Sequence, residues 1–98
     1  MAKIVYAREA LDDFERIIEH LLESSSDTAA ATLERIRDAV EILAEHPLIG
    51  RKAGEEWREL VISRGTSGYL ALYRFDPAFG VVRILRIRHQ REAGYRGD

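Results

Sequence analysis

The apolar residues of this chain change their spacing once, from a helical repeat to a strand repeat. Between residues 7 and 46 they recur at steps of three and four, which is typical of helices that bury one face. From Arg58 onward they alternate with polar residues or form short runs, as in β-strands. Because helices and strands are segregated rather than interleaved, this order predicts an α+β fold.

Two amphipathic helices are predicted in the first half. The apolar stripe of the first helix consists of Leu11, Phe14, Ile17 or Ile18, and Leu21 or Leu22. Residues 24–27 interrupt the pattern and offer side-chain oxygens that can cap a second helix. The apolar stripe of the second helix consists of Ala29, Leu33, Ile36, Val40 and Leu43. We expect it to end near Pro47, since proline cannot continue a helix, and we expect Gly50 to form the turn that follows.

Four strands are predicted around these helices. A short one covers residues 3–6, and three longer ones cover residues 58–64, 69–75 and 81–89. The short connections between the last three contain glycine, which favours hairpins and therefore an antiparallel meander. The predicted order is β-α-α-β-β-β, with a two-helix hairpin packed on one face of an antiparallel sheet.

Length and composition narrow the class of protein. The 98 residues suffice for one two-layer core, so we expect a single domain over residues 1–98. The absence of cysteine excludes disulfides, thiolate zinc sites and a cysteine nucleophile, and no metal or organic cofactor is suggested. No segment approaches the roughly 20 apolar residues that span a bilayer. We therefore expect a cytoplasmic protein without a membrane partner.

The overall charge of −2 combines two halves of opposite sign. Residues 1–57 carry 7 basic and 13 acidic side chains, whereas residues 58–98 carry 8 basic and 4 acidic ones. A basic second half suggests an anionic partner, either nucleic acid or an acidic peptide segment. The isoelectric point of about 5.9 argues against a dedicated nucleic-acid-binding protein.

The last predicted strand brings charge to one end of the sheet. Strict alternation would place Arg86 and Arg88 on one face, with Val82 and Ile84. It would place His89 on the other face, with the second set of alternating residues, Arg83, Leu85 and Ile87. Both faces are apolar in the first part of the strand and polar in the last part. The strand can therefore contribute to the core at one end and place basic groups at the edge of the sheet at the other. The alternative is an ordinary strand with solvated arginines.

Four segments at consistent spacing resemble the ParE/RelE superfamily, the toxins of bacterial type II toxin–antitoxin modules. They are the acidic helix start at residues 8–14, the Pro-Leu-Ile-Gly-Arg turn within residues 42–51, the pair 58–62 and 68–74, and the basic segment 84–91. The resemblance extends over nearly the whole chain and implies a cognate antitoxin, bound in a hetero-oligomeric complex. It also implies growth arrest and a role in plasmid stabilisation.

The resemblance implies one of two activities. ParE-like toxins inhibit DNA gyrase, whereas RelE-like toxins cleave messenger RNA on the ribosome with a basic cluster and a late tyrosine. Such cleavage needs groups that activate the ribose 2′-hydroxyl, stabilise the phosphate charge and protonate the leaving oxygen. A third alternative is a degenerate chain that only binds antitoxin.

The sequence favours the ParE alternative, because the RelE pattern is incomplete. In that pattern an arginine follows the Gly-Tyr of the second meander strand, but Leu70 stands there in this chain. The preceding strand carries two lysines in RelE, whereas here only Arg58 supplies a cation. The spacing of Arg91 and Tyr95 does match the RelE tail.

The resemblance and the basic strand together define the candidate site residues. If the chain is RelE-like, the catalytic candidates are Arg58, His89, Arg91 and Tyr95. The candidates for binding the target or the antitoxin are Arg58, Tyr73, Arg86, Arg88, His89, Arg91 and Tyr95. Trp57 is predicted to anchor its loop to the core, with a place in an interface as the alternative. His20 and His46 are predicted to be structural, and Tyr69 and Tyr73 to be core or rim aromatics. For His89, a hydrogen bond with the backbone is favoured over a functional role.

Overall fold

The computed structural model describes residues 1–63 and 68–92. The helical elements are α1 (Arg8–Leu22), α2 (Ser26–Glu41) and a 3-10 turn that follows it directly (Ile42–Ala44). The strands are β1 (Lys3–Tyr6), β2 (Arg51–Lys52), β3 (Arg58–Ile62), β4 (Tyr69–Asp76) and β5 (Val81–His89).

The five strands form one sheet in the order β1-β5-β4-β3-β2, with the helices packed on one face. The predicted α+β class and the antiparallel meander β3-β4-β5 are confirmed. The sheet is mixed rather than wholly antiparallel, because β1 lies parallel to β5 from Lys3 opposite Val81 to Tyr6 opposite Ile84. Parallel neighbours need a long connection, and the helices and the meander supply it. The two-residue β2 is too short to show a sequence period.

The core lies between the helices and the sheet. Its largest fully buried side chains are Tyr73, Ile36, Leu43, Ile62, Ile84, Ile87, Val40 and Val82. Ser25 caps α2 by accepting a hydrogen bond from the Thr28 N–H at 3.3 Å, so the predicted polar cap is confirmed.

The predicted stripe of α1 is confirmed at Phe14, Ile17 and Leu21, but its first residue is wrong. Leu11 is 50% exposed, and Ala10 occupies the buried position instead. The small side chain of Ala10 lets α1 approach the sheet closely. Asp13, which the pattern placed on the solvent side, is only 4% exposed. In α2, likewise, Thr32 is buried and the predicted core residue Leu33 is half-buried.

A β-bulge in β5 corrects the predicted alternation of that strand. Leu72 lies opposite Arg86, but the next residue, Tyr73, lies opposite Ile84, so β5 contains one extra residue. The bulge shifts the side-chain phase of β5, and Ile87 therefore joins Ile84 in the core instead of pointing away from it.

Asp13 closes the edge of β5 beyond the end of β1. The Asp13 carboxylate accepts a hydrogen bond from the Ile87 backbone N–H at 2.8 Å. It also accepts two from the Arg86 guanidinium, from Nε at 2.9 Å and from Nη2 at 3.2 Å. One buried carboxylate thus satisfies an edge amide and neutralises a largely buried cation, and it joins α1 to β5.

We predict that Asp13→Asn lowers the free energy of unfolding by about 3 kcal/mol, because it leaves the Arg86 charge buried without a counter-ion. Asp12→Asn is the matched control, since Asp12 pairs with Arg8 on the surface, where both side chains are mostly exposed. Urea denaturation of both variants measures the difference. The double variant Asp13→Asn with Arg86→Met should recover part of the loss. Equal losses in Asp13→Asn and in the control Asp12→Asn would contradict the role of Asp13 as the counter-ion of Arg86.

Candidate functional site

A pocket of about 430 Å³ lies where β5 ends against α1. Three of its lining residues come from α1, one from the start of β4 and three from the end of β5 and the turn after it. They are Arg16, Ile17, His20, Tyr69, His89, Arg91 and Glu92. Four of these seven side chains are basic or imidazole groups, and one is acidic. The pocket therefore favours an anionic group.

The imidazole of His89 is held by contacts on two sides. Tyr69 lies opposite it on β4, and the two rings meet edge to face with 5.1 Å between centroids. His89 Nδ1 accepts a hydrogen bond from the Arg91 backbone N–H at 3.0 Å. The predicted backbone hydrogen bond of His89 is therefore present. In the neutral ring this bond leaves the proton on Nε2, which remains able to donate.

Glu92 connects the end of β5 to α1. Its carboxylate accepts hydrogen bonds from Arg16 Nη1 at 2.9 Å and from the His89 backbone N–H at 2.7 Å. Its backbone carbonyl accepts one from Arg88 Nη1 at 2.6 Å. Glu92 thus holds the wall of the pocket in place, and it binds the β5 backbone two residues after the amide that Asp13 binds.

Arg16 retains unused hydrogen-bonding capacity beside the pocket. Its Nη2 atom is buried and makes no hydrogen bond within the described part of the chain, although it lies 3.6 Å from Asp13 Oδ1. A buried guanidinium nitrogen of this kind can donate to an incoming carboxylate or phosphate oxygen.

Tyr69 is protonated at neutral pH in this surrounding. Burial raises the pKa of its phenol above the ordinary value of 10.0, and the Glu92 carboxylate adds to this, while Arg35 acts in the opposite direction. Tyr69 can therefore donate a hydrogen bond in the pocket, but it is not a base at neutral pH.

The start of β4, next to Tyr69 of the pocket, depends on a close backbone approach at Gly68. The Gln90 side chain donates to the Ser63 carbonyl at 2.7 Å, and the Gln90 backbone N–H donates to the Gly68 carbonyl at 3.0 Å. A Cβ atom at Gly68 would collide with the Gln90 amide and with the Ser63 carbonyl. Glycine is required there because of this contact.

The chain matches the family profile of the ParE toxin of type II toxin–antitoxin systems (parDE) over residues 4–94. It belongs to the ParE/RelE toxin superfamily. Toxin RelE3 of Caulobacter vibrioides is 33% identical over 92 residues, which cover 94% of this chain and 98% of that toxin. Toxin RelE2 of the same organism is 36% identical over 89 residues, which cover 91% of this chain and 96% of that toxin.

Solved structures of toxin–antitoxin systems share the fold of this toxin. A chain of the chromosomal ParDE system of P. aeruginosa superposes with a TM-score of 0.75 at 22% identity, covering 91% of this chain and 96% of that one. A chain of the intact E. coli RelBE complex gives a TM-score of 0.65 at 16% identity, and the match covers 94% of this chain and 100% of that one. A chain of the Mycobacterium tuberculosis RelBE2 complex gives a TM-score of 0.56 at 26% identity, and the match covers 91% of this chain and 98% of that one.

The toxin brings only some of its predicted site residues together. His89 and Arg91 line the pocket, and Arg88 braces it through Glu92. Arg86 is bound to Asp13 in the interior. Tyr95 lies outside the described residues.

Arg58 and Tyr73 lie elsewhere, at the turn that precedes β2. The Tyr73 hydroxyl accepts from the Gly50 N–H at 2.9 Å and donates to the Pro47 carbonyl at 2.8 Å. Arg58 Nη1 donates to the Gly50 carbonyl at 2.8 Å and to the Leu48 carbonyl at 3.1 Å. Four residue steps of β4 separate Tyr73 from Tyr69 at the pocket, roughly 13 Å along the strand. In this toxin, Arg58 and Tyr73 hold the turn.

Sequence reasoning did not identify Arg16 and Glu92 as site residues. Arg16 follows three acidic residues on a helix and has the pattern of an ordinary surface ion-pair residue. Only packing of α1 against β5 brings it to Glu92. His20, predicted to be structural, also lines the pocket. Trp57 is half-buried and packs beside Gly54 of its own loop, with the Arg74 guanidinium 5.8 Å from its ring, and its anchoring to the core stays a prediction.

Among residues 1–63 and 68–92, no group of three His, Asp or Glu side chains could hold a metal ion. No helix in those same ranges is long and apolar enough to cross a membrane.

We predict that Tyr73→Phe lowers the free energy of unfolding by about 1 to 3 kcal/mol at neutral pH, because Gly50 N–H and the Pro47 carbonyl lose their partner. Burial raises the pKa of the Tyr73 phenol above 10.0, against the lowering effect of the Gly50 hydrogen bond and of Arg58. The folded chain therefore binds this proton more tightly than the unfolded chain does. Stability should be constant with respect to this group below about pH 10 and should fall above it.

The alkaline decline should be shallower in Tyr73→Phe, by up to about 1.4 kcal/mol per pH unit. Tyr6 and Tyr69, whose pKa values are also raised by burial, remain in both proteins and contribute equally. Urea denaturation at neutral pH and above about pH 10 measures both effects. Parallel declines in the two proteins would show that the Tyr73 proton is not retained on folding.

Proposed function

We propose that this chain is a cytoplasmic toxin that a cognate antitoxin neutralises in a hetero-oligomeric complex, and that the free toxin arrests growth by inhibiting DNA gyrase. In this proposal the toxin acts by binding and performs no chemistry on its target. The antitoxin part is supported by the structural neighbours, which come from ParDE and RelBE systems. The gyrase part is supported by the ParE family match and by the incomplete nuclease set.

The observation that carries the gyrase proposal is the position of Arg58. A RelE-type nuclease needs several cations around the scissile phosphate, because the charge that develops there must be stabilised. Arg58 instead donates to two turn carbonyls, and Leu70 occupies the position of the central arginine of the RelE pattern. Among the described candidates, only His89 and Arg91 line a common pocket.

The pocket at the end of β5 is suited to a protein contact. Arg16 and Arg91 offer guanidinium groups, and the neutral Tyr69 side chain is largely buried beside them. A carboxylate from a target protein can pair with these cations, while Ile17 and the aromatic ring supply apolar contact. In the free toxin Glu92 already makes one such pair with Arg16, which demonstrates the geometry that an incoming carboxylate would use.

Ribosome-dependent cleavage of messenger RNA is the second candidate, and one observation favours it. The ring of His89 is held by its neighbours with Nε2–H free to donate, and Arg91 lies beside it in the pocket, so a hydrogen-bond donor and a cation that could both contact a phosphate are adjacent. The Caulobacter relatives are also named RelE. A third candidate is a degenerate toxin that binds antitoxin and has no target.

Induced expression of the chain without antitoxin distinguishes these candidates. We expect gyrase-trapped DNA breaks while pulse-labelled protein synthesis continues. An immediate stop of translation with intact DNA would refute gyrase inhibition and would support RNA cleavage. Growth without arrest would support the degenerate alternative.

We predict that Arg91→Glu weakens binding of the purified toxin to gyrase by at least about tenfold, because it places a like charge in the contact. Arg8→Glu is the matched control, since Arg8 is highly exposed on the outer side of α1 and makes only a surface ion pair. Its effect should be less than about twofold. Surface plasmon resonance measures both affinities, and equal affinities would exclude the pocket as the contact. Circular dichroism confirms that each variant is folded.

A further inference from the structure

The end of the molecule opposite the pocket carries most of the exposed large apolar side chains of the described residues. Phe79 is 80% exposed, Ile49 59%, Leu48 57% and Ile42 50%. They lie in the connections after α2 and between β4 and β5, which meet at this end of the sheet. We call these four residues, with the grooves at the same end of the sheet, the apolar end. Contiguous apolar surface on a soluble chain commonly marks an interaction site.

The apolar end is built on ordered backbone. Ala2 N–H donates to the Ala44 carbonyl at 2.7 Å, and Lys3 N–H donates to the Gly80 carbonyl at 2.8 Å, so three separate segments are joined. Phe79 sits on a tight turn in which its N–H donates to the Asp76 carbonyl at 3.3 Å. Gly80 closes that turn with a φ of +62°. Phe79 is therefore held outward by a defined turn.

Three neighbouring grooves cross this surface. One of about 460 Å³ has Ala44, Pro47 and Phe75 in its floor. A second, of about 430 Å³, shares Ala44 and includes Ile42. A third, of about 420 Å³, shares Phe75 and includes Leu48. Each has room for an apolar side chain of a partner.

The charged side chains at the first two grooves are acidic, whereas the third groove is lined by Lys52, Arg58 and Arg74 as well as Glu55 and Glu56. Asp38, Glu41 and Glu45 line or flank the grooves at the C-terminal end of α2 and just after it. Within the described ranges none of the three has an ion-pair partner, and the last turn of α2 contains no basic residue. Carboxylates are unfavourable at a helix C-terminus, where exposed carbonyls already carry partial negative charge. A cationic partner would relieve this repulsion.

We propose that the apolar end docks a protein segment that presents aliphatic or aromatic side chains together with lysine or arginine. The apolar side chains would enter the grooves, and the cationic groups would pair with Asp38, Glu41 and Glu45. Lysine and arginine suit this surface because their aliphatic stems can lie on an apolar floor while their charged ends reach carboxylates. Nucleic acid and anionic membrane surfaces are repelled by the same carboxylates, and a twofold dimer through this end would bring like charges together.

This docking site is independent of the pocket and of the choice between gyrase and ribosome. Eight residue steps of β5 separate the two ends of that strand, roughly 26 Å. A segment on the apolar end therefore leaves the pocket free for a second partner. The toxin then has two faces of opposite charge for two different protein surfaces.

The test uses the full-length chain and two amphipathic helical peptides of equal length, one of leucine and lysine and one of leucine and glutamate. Fluorescence anisotropy should show that the leucine–lysine peptide binds at least about tenfold more tightly than the leucine–glutamate peptide. Phe79→Ser with Ile49→Ser should weaken binding at least about fivefold, and so should Glu41→Gln with Glu45→Gln. Leu11→Ser with Glu19→Gln, on the exposed side of α1, is the matched control and should leave affinity unchanged.

Three results would overturn the proposal. The control variant could lose as much affinity as the others, which would mean non-specific attraction to an acidic chain. Both peptides could bind equally, or neither could bind at about millimolar concentration, which would remove the charge argument. Finally, sedimentation could show a dimer that Phe79→Ser dissociates, which would assign the surface to a second copy of the chain. Because none of these readouts involves gyrase or translation, failure here is distinguishable from failure of the proposed toxin activity.

Discussion

The buried carboxylate of Asp13 is the contact on which the rest of this structure depends. A sheet edge with unpaired amides needs a partner, and β1 supplies one only as far as Ile84. Beyond that point Asp13 pairs with the Ile87 N–H and with Arg86, and Glu92 pairs with the His89 N–H. Two carboxylates thus continue the edge that β1 leaves open. They also determine which face of α1 is buried, since Asp13 must point at β5.

A second polar cluster stabilises the other end of the sheet. Its residues have a structural role, which distinguishes them from the residues of the pocket. Tyr73 and Arg58 bind three carbonyls and one amide of the turn that contains Pro47 and Gly50. Without these contacts the turn would carry unsatisfied backbone groups next to the core. A Cβ atom at Gly50 would lie 2.6 Å from the Tyr73 ring, so the glycine and the tyrosine require each other. This cluster gives the Pro-Leu-Ile-Gly-Arg segment of the toxin a structural role.

The separation of these two clusters bears on mechanism. The catalytic candidates Arg58 and His89 lie at different ends of the meander, because β3 pairs with β4 in a register that places Arg58 opposite Tyr73 and not opposite Tyr69. A nuclease site that needs both Arg58 and His89 would have to extend over several residues along the strands. A binding surface has no such requirement, since separate cations can contact separate parts of one partner. This difference is the physical basis for favouring gyrase inhibition over RNA cleavage.

The sequence by itself determined the α+β class, the two helices, the meander and the basic end of β5, because hydrophobic period, capping residues and glycine turns act locally. It also predicted that His89 makes a backbone hydrogen bond, which is present. Tertiary structure alone decided the parallel place of β1, the bulge near Leu85, the burial of Asp13 and the contact of Arg16 with Glu92. Each of these depends on residues far apart in the chain, and a polar residue such as Asp13 has the same local pattern whether its partner is water or a strand edge.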